Sequence, residues 1–488
     1  MAHVPVGVMV RFFGHYLSYS SIVLVLVETS MFIAILAGLR VQDLIDGFDI
    51  RGGSGVLLLA ETAFGLINFL ILSAAGYYNR ASFYSRQERW RSAIISFPVA
   101  YIGLCAIVTV VELLGNAHFT DYYKNFLVGL TLFSAVSILW RGGFRGAVDL
   151  DLFRRKVLVI GDEKSASEIS SLAERTVHSG FRVVGFLSKE PCDGPLDKTI
   201  HRLPLEILQT RHALAKYASA NQIDEIIVAY REQRRPKGEL GLGLPVWELL
   251  ECRLLGIRIS NLHEFWEMET GRINLDELRP SSLIFSHGFR FNTLRNTIKR
   301  AFDFFCSTVL LLVFAPFMVA TALAVKFTSP GPIFYMQERV GLRGAPFRLI
   351  KFRSMTVDAE KDGVPKWAGA NDSRVTSVGA FIRKTRFDEL PQLFNVFKGE
   401  MSLVGPRPER PYFVDELKKD IPFYDERHNL RPGITGWAQI NYPYGASVED
   451  SKIKLSYDIY YLKNHSLFLD IIIVLQTVGV MLFARGGR

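Results

Sequence analysis

Four long apolar stretches, Ser21–Leu39, Ser54–Tyr77, Ala93–Leu114 and Asn125–Trp140, fill most of the first third of the chain. A bilayer core takes ~20 residues of helix to cross, so each is close to spanning length. Four in succession point to a transmembrane region. The basic residues sort by loop. Arg80, Arg86, Arg89 and Arg91 follow the second stretch, and Arg141, Arg145, Arg154, Arg155 and Lys156 follow the fourth. The loop after the third has only Lys124, beside Asp121, and the loop after the first mixes Arg40 and Arg51 with Asp43, Asp46 and Asp49. The positive-inside rule then places the N-terminus and everything after Trp140 in the cytoplasm. The formal charge of +9 reads as positive-inside loops, not as a nucleic-acid surface, since no such binding motif accompanies it.

The first apolar run is too long for a signal peptide and no small-residue cleavage pattern follows it, so it is expected to remain as a span. Glu28, Glu61 and Glu112 lie in or near the spans and are expected to serve helix packing or to sit at an interface, with no basic partner inside the spans. The four cysteines, Cys105, Cys192, Cys252 and Cys306, are widely separated, which argues against a disulfide framework or a zinc site and fits a reducing cytoplasm.

From Lys156 the pattern turns to soluble α/β. Strands are expected at Lys156–Ile160, Phe181–Leu187, Glu225–Ala229 and Gly256–Ser260, with helices at Ser165–Ala173, Leu205–Tyr217 and Val246–Leu255. Such alternation predicts a parallel, Rossmann-like sheet. The turn after the first strand, Gly161-Asp-Glu-Lys-Ser-Ala166, keeps only the first glycine of a dinucleotide fingerprint and crowds it with two acids. A structural or regulatory domain is therefore expected, not a working cofactor site.

A fifth apolar run, Phe304–Val325, is long enough to span but holds Pro316 at its middle, which removes a helical hydrogen bond. Lys299 and Arg300 flank one end and Lys326 the other, so both ends read as cytoplasmic. A re-entrant helix-break-helix over 299–327 is expected; a kinked spanning helix is the alternative. Ser307 and Thr308 lie too far before Pro316 to satisfy the carbonyl that it frees.

The chemistry concentrates downstream. In Arg383-Lys-Thr-Arg-Phe-Asp388-Glu389-Leu-Pro391-Gln392, two adjacent carboxylates follow basic residues. One carboxylate can attack phosphorus and the other can hold Mg²⁺ against a pyrophosphate. Asp388 reads as a helix start, with Pro391 in the first turn, and free N–H groups there suit phosphate. Arg383 and Arg386 can add charge-assisted hydrogen bonds. Alone, the pattern would equally mark a capped surface helix. Gly405-Pro-Arg407-Pro-Glu409 reads as a stiff turn presenting an arginine fork, although an ordinary surface turn has the same look. Arg431-Pro-Gly-Ile-Thr-Gly-Trp437 is a second stiff turn, for a groove or for packing. The last apolar run, Leu467–Phe483, carries Asp470 and Gln476 and is expected to lie at the interface as an amphipathic helix, a span being the alternative.

Taken in order, Lys299-Arg-x-Phe-Asp303, Ser329-Pro-Gly-Pro-Ile-Phe334, Gln337-x-Arg339-x-Gly341, Lys351-Phe-Arg-Ser-Met355, Asp388-Glu-Leu-Pro391, Gly405-Pro-Arg-Pro408, Arg431–Trp437 and Tyr457-Asp-x-Tyr-Tyr461 resemble the catalytic domain of the bacterial polyprenyl-phosphate sugar-1-phosphate transferases of the monotopic kind. The four spans and middle domain resemble its large, exopolysaccharide-assembling members. The resemblance implies that Asp388 is the nucleophile toward a UDP-sugar, releasing UMP. The sugar-phosphoaspartate would then pass to undecaprenyl phosphate. It implies Glu389 as the Mg²⁺-holding acid, Arg383 and Arg407 as phosphate-binding residues, and Lys299 and Arg300 as the basic pair at the membrane face. The family's helix break is often Ser-Pro; here it is Ala315-Pro316.

The expected architecture is a four-helix transmembrane region over 1–150, a Rossmann-like α/β cytoplasmic domain with degenerate nucleotide-binding features over 151–290, and a catalytic α+β domain over 291–488 carrying the re-entrant membrane helix. The expected setting is the bacterial inner membrane, multi-pass, with the lipid bilayer itself a partner and the catalytic domain on the cytoplasmic face. A homodimer through the middle domain stays open, as does the sugar. Two other readings compete. A membrane-anchored NAD-dependent nucleotide-sugar modifying enzyme would need a full glycine fingerprint and a Tyr-x-x-x-Lys pair in the middle domain. A noncatalytic polysaccharide-assembly scaffold would have no use for Asp388, Glu389, Arg383 and Arg407 in one region.

Overall fold

The computed structural model describes residues 9–12, 15–45, 62, 65–73, 90, 93–94, 97–102, 128–141, 154–161, 163–175, 180–187, 202–204, 207, 210, 212–229, 245–276, 278, 288–289, 292–357, 374–442, 445 and 447–482. The chain divides into two units, Met1–Arg11 with Tyr16–Glu269 and Phe12–His15 with Thr270–Arg488.

The first unit opens with two short strands, β1 (Met9–Phe12) and β2 (His15–Ser18), and the helix α1 (Tyr19–Ile45), longer at both ends than the apolar run that predicts it. Residues 65–73 and 97–102 are helical, as is α2 (Val128–Arg141). Phe32, Leu36, Leu72, Ala100, Leu130 and Phe133 form a common core. Much of the second and third expected spans lies outside the described residues, as do Glu61 and Glu112. Among the described residues, two helices, at 22–39 and 293–328, are long and apolar enough to cross a membrane. Glu28 serves helix packing, with a basic partner just outside the expected spans: Arg141, one residue past the fourth apolar run, donates to Glu28 Oε1 at 2.7 Å and Oε2 at 2.9 Å, and Ser137 adds a third donor. Both charges are buried, so the acid has the partner that a low-dielectric site demands.

The same unit contains a four-stranded parallel sheet ordered β4-β3-β5-β6, from Phe181–Leu187, Arg155–Gly161, Glu225–Ala229 and Arg258–Asn261. Side chains alternate across it. Val157, Val159, Ile227 and Ala229 meet Phe265 and Met268 on one face, while Leu158, Ile160 and Ile226 meet Leu214, Ala218 and Leu249 on the other. Helices α3 (Glu163–Arg175), α4 (Ala213–Ala220), α5 (Val246–Leu254) and α6 (Leu262–Thr270) accompany the sheet. Element ends differ from their sequence positions by a few residues, and two of the differences have a local backbone cause. Within the helix expected over Leu205–Tyr217, Ile207 is helical, but His212, left-handed at φ 67°, interrupts the run and α4 starts after it, at Ala213. The last strand begins two residues late, because Gly256, at φ +88°, makes the turn that ends α5. Gly161 is required by packing: a Cβ there would lie 2.6 Å from the Ala229 carbonyl oxygen.

The second unit is built around α7 (Thr293–Thr328), a 36-residue helix capped by Asn292, whose side chain accepts from the Leu294 amide. The expected break at Pro316 needs correction: the helix continues across it, the proline costing one internal hydrogen bond without dividing α7 into two helices. Ser307 and Thr308 both donate to the Phe304 carbonyl, so neither serves the proline. Both halves of α7 pack on this one unit. Asp303 accepts from the Leu403 amide, and Met318 and Val325 join Phe352 and Ile382. An antiparallel hairpin, β7 (Phe334–Val340) with β8 (Pro346–Phe352), is followed by helices α8 (Ser377–Lys384), α9 (Gln392–Lys398) and α10 (Pro411–Asp420). The short parallel pair β9 (Ser402–Val404) and β10 (Gly433–Thr435), then α11 (Trp437–Asn441), α12 (Val448–Asn464) and α13 (Leu467–Leu482), complete it. One face of α13 enters the core through Leu469 and Ile473.

Candidate active site

Asp388 and Glu389 lie in a single 3₁₀ turn, Phe387–Glu389, between α8 and α9. Two local features make this turn. Arg386, two residues past the end of α8, takes a left-handed conformation, φ 61°, and leads directly into the turn. Pro391 then precedes α9, where its fixed φ suits helix entry. Asp388 is thus one turn ahead of α9 and is not its cap, which corrects the expected helix start.

Helix α9 is tied to the neighbouring hairpin by Asn395, which donates to the Arg348 carbonyl at 2.8 Å and accepts from the Ile350 amide at 3.1 Å. These two anchors fix β8 immediately before Lys351. In consequence Lys351 Nζ reaches Glu389 Oε1 at 3.1 Å. Arg407 Nη2 donates to the same oxygen at 3.1 Å, and Arg386 Nη1 stands 3.8 Å from it. Arg407 arrives from the turn after β9, where Gly405 packs against the backbone of Arg431 and Gly433; a Cβ on Gly405 would lie 2.2 Å from the Arg431 carbonyl.

The two carboxyls are driven apart electrically. At Asp388 burial and then the adjacent Glu389 charge oppose ionisation, and Lys351, Arg386 and Arg383 only partly relieve them; its pKa is pushed up to about 6. Burial also opposes ionisation at Glu389, but Lys351, Arg407 and Arg386 outweigh it and hold that carboxyl well below the usual range. Burial pulls the Lys351 ammonium below its ordinary pKa, against the pull of Glu389. Asp388 Oδ1 is buried and makes no hydrogen bond. One acid is therefore fixed and ionised, and its neighbour carries a lone oxygen free to react or to ligate.

The residues suit a divalent cation bound together with a phosphate substrate. Mg²⁺ takes one or two carboxylates and fills its other positions with water and phosphate oxygens. Glu389 is held anionic and the uncommitted Asp388 oxygen is beside it. No group of three or more His, Cys, Asp or Glu side chains gathers at a metal-sized point among the described residues, so a cation held here would draw its other ligands from water and phosphate oxygens.

The predicted site residues do not all meet here. Asp388, Glu389 and Arg407 do, and the Arg383 charge acts on Asp388. Lys299 instead donates to Asp470 at 2.7 Å and to the Val404 carbonyl, and Arg300 donates to the Val396 and Phe397 carbonyls at 2.6 Å each, closing the C-terminal end of α9. Both cations are committed to protein partners. Pro316 lies within α7. Sequence reasoning gave no role to Lys351 or Asn395. A signal for Lys351 existed: alternation along β8 sets it on the face of the buried Leu349, where a cation needs a partner.

Comparison with known proteins follows the same residues. The model of the family described as bacterial sugar transferase matches residues 294–484. A UDP-N-acetylgalactosamine-undecaprenyl-phosphate N-acetylgalactosaminephosphotransferase of Aeromonas hydrophila is 44% identical over 247 residues, 50% of this chain and 57% of that protein. A UDP-glucose:undecaprenyl-phosphate glucose-1-phosphate transferase of Xanthomonas campestris pv. campestris is 32% identical over 365 residues, 73% of this chain and 72% of its own length. An undecaprenyl-phosphate glucose phosphotransferase of Komagataeibacter xylinus is 32% identical over 341 residues, 68% of this chain and 60% of that protein. The motif order, the paired acids and these matches agree: the chain is a transferase and belongs to the bacterial sugar transferases, the family of the undecaprenyl-phosphate sugar phosphotransferases.

Proposed function

We propose that the chain transfers a sugar-1-phosphate from a UDP-sugar to undecaprenyl phosphate, at the cytoplasmic face of a bacterial inner membrane, as the first membrane step of exopolysaccharide assembly. The observation that carries this reading is the buried, unpartnered Asp388 oxygen beside a Glu389 held ionised by Lys351 and Arg407.

A carboxylate oxygen of Asp388 attacks the sugar-linked phosphorus. The bond from that phosphorus to the bridging oxygen breaks, and the electron pair leaves with UMP. An oxygen of undecaprenyl phosphate then attacks the same phosphorus. The acyl-phosphate bond breaks, the Asp388 carboxylate is restored, and the sugar leaves on a lipid diphosphate. Mg²⁺ at Glu389, when bound, supplies charge neutralisation to the pyrophosphate. Arg407 and Arg383 steady phosphate oxygens as negative charge moves onto the leaving UMP. The ionised Glu389, kept low by three cations, leaves Asp388 as the group whose protonation sets reactivity.

The packing of both halves of α7 on one unit, with Lys299 and Arg300 near one end and Lys326 near the other, supports a re-entrant placement over a span. The clustering of arginines after the second and fourth apolar runs supports a multi-pass N-terminal region with the catalytic unit inside. The nicotinamide reading lacks support in the middle domain, where Gly161 is consumed by contact with Ala229. The direct test uses purified protein, Mg²⁺, undecaprenyl phosphate and a panel of UDP-hexoses and UDP-N-acetylhexosamines. UMP release is expected with at least one donor and at background in Asp388→Asn. Undiminished release in that variant removes Asp388 as the nucleophile.

A further inference from the structure

The turn that carries Arg407 is held in an unusual way. Pro406 and Pro408 have no N–H, so the segment cannot be fixed by its own donors there. Its carbonyls are fixed instead, four in succession. The Pro406 carbonyl accepts from the Gly433 amide at 2.9 Å and the Glu409 carbonyl from the Val340 amide at 3.0 Å. The two between them accept from arginine side chains: Arg407 O from Arg427 Nη2 at 3.1 Å, and Pro408 O from Arg339 Nη1 at 3.0 Å.

Each of these arginines is itself pinned. Arg427 is buried, stands 2.8 Å from Asp458 and donates to the Tyr424 hydroxyl at 2.6 Å. Arg339 extends from β7, donates to Gln337 Oε1 at 2.6 Å and lies 3.7 Å from Glu409. Asp458 and Arg339 fall in two of the ordered motifs, Tyr457–Tyr461 and Gln337–Gly341, for which the chemistry above has no use.

We propose that Arg427 and Arg339 form a two-arginine clamp on the backbone of the Arg407 turn, with Asp458 as the counter-charge that holds Arg427. Both act as positioning residues that set the Arg407 guanidinium on Glu389. The proposal rests on the reading that Arg407 serves phosphate transfer at that site. A side-chain clamp suits the task better than another strand would. A guanidinium can grip a carbonyl whose neighbouring residues, being prolines, cannot join a ladder. A misplacement of about 1 Å at such a group is enough to cost roughly 100-fold in rate.

A purely structural staple predicts a different result from a clamp, and a double-mutant cycle in the full chain in lipid nanodiscs separates them. The test variant is Arg427→Met with Asp458→Leu, which removes the ion pair without leaving a buried charge and so favours retention of the fold. kcat/KM for UMP release is expected to fall about tenfold or more in the wild-type background and less than about threefold on Arg407→Ala, because coupled residues are not additive. Arg339→Gln is expected to repeat the pattern from the other side of the turn. Equal losses in both backgrounds overturn the clamp. A readout independent of turnover is hydrogen exchange at the Val340, Gly405 and Gly433 amides, which bond within or onto the turn. Faster exchange at an unchanged Tm is expected, and unchanged exchange in both variants overturns the proposal. Asp388→Asn, assayed in parallel, tests the covalent reading separately, so the two ideas fail independently.

Discussion

Lys351 and Glu389 form a close ion pair, Nζ to Oε1 at 3.1 Å, between a hairpin strand and the 3₁₀ turn that bears both acids. Neither partner is interchangeable with a solvent-exposed charge. Their side chains are 20% and 12% exposed, and Arg407 shares the same carboxylate oxygen. The pair keeps Glu389 anionic beside an Asp388 that burial makes reluctant to ionise.

Lys351→Met is expected to lower kcat by about 100-fold, the usual scale for losing one preorganised cation at a site of developing charge. It also removes the largest influence keeping Glu389 ionised, so the Mg²⁺ concentration for half-maximal activity should rise. Steady-state UMP release across a Mg²⁺ titration measures both. An unchanged kcat would assign Lys351 to packing alone.

The raised Asp388 pKa sets the acid limb of the pH profile. A nucleophilic carboxylate must be ionised, so kcat/KM should climb through about pH 6 and level above it. The stability sign is the reverse. A folded pKa above the unfolded value of 3.8 means that Asp388 stabilises the fold below about pH 4, and this contribution is lost as pH rises through about 6. Asp388→Asn should therefore melt higher than wild type at pH 7.5, with the gap closing toward pH 4. Thermal melts at the two pH values check this.

Lys299→Met is expected to act on stability before substrate affinity. It strips the partner from Asp470, which is buried and also accepts from the Tyr461 hydroxyl at 2.5 Å. Breaking a buried pair from one side costs about 3–5 kcal/mol. KM for the UDP-sugar should stay within about twofold, since the ammonium is committed to Asp470. Adding Asp470→Leu should recover much of the lost Tm, and a large rise in KM without a stability loss would return Lys299 to the substrate.

Gly405→Ala is expected to destabilise by at least the 1–3 kcal/mol typical of overpacking. The added carbon would lie 2.2 Å from the Arg431 carbonyl and 2.9 Å from the Gly433 nitrogen, both rigid backbone atoms. Denaturant midpoints measure the loss, and activity should fall with it because Arg407 is two residues away.

Sequence pattern reached the middle domain almost strand by strand, since apolar runs such as Val157–Ile160 and Ile226–Val228 have few alternatives to a buried parallel sheet. It also reached Asp388, Glu389 and Arg407, which sit in short stiff motifs. Two interruptions were set by single residues in uncommon backbone states: His212 within an expected helix and Gly256 before the last strand, both at positive φ, where local sequence gives a weak signal. The partners of charges were the least legible. Arg141 with Glu28, Lys299 with Asp470 and Lys351 with Glu389 lie 113, 171 and 38 residues apart. Only the tertiary fold decides whether such a cation faces substrate, lipid or a buried acid.

The most direct measurement is acid-quench trapping. Protein in nanodiscs, without carrier lipid, is mixed with Mg²⁺ and a UDP-sugar labelled in the sugar, then denatured and digested. The peptide containing Asp388 should carry the labelled sugar-phosphate, in an amount matching the UMP released, and should lose it when undecaprenyl phosphate is added before the quench. Carrier-dependent transfer of label to lipid with no adduct on that peptide at any time would contradict a covalent step at Asp388.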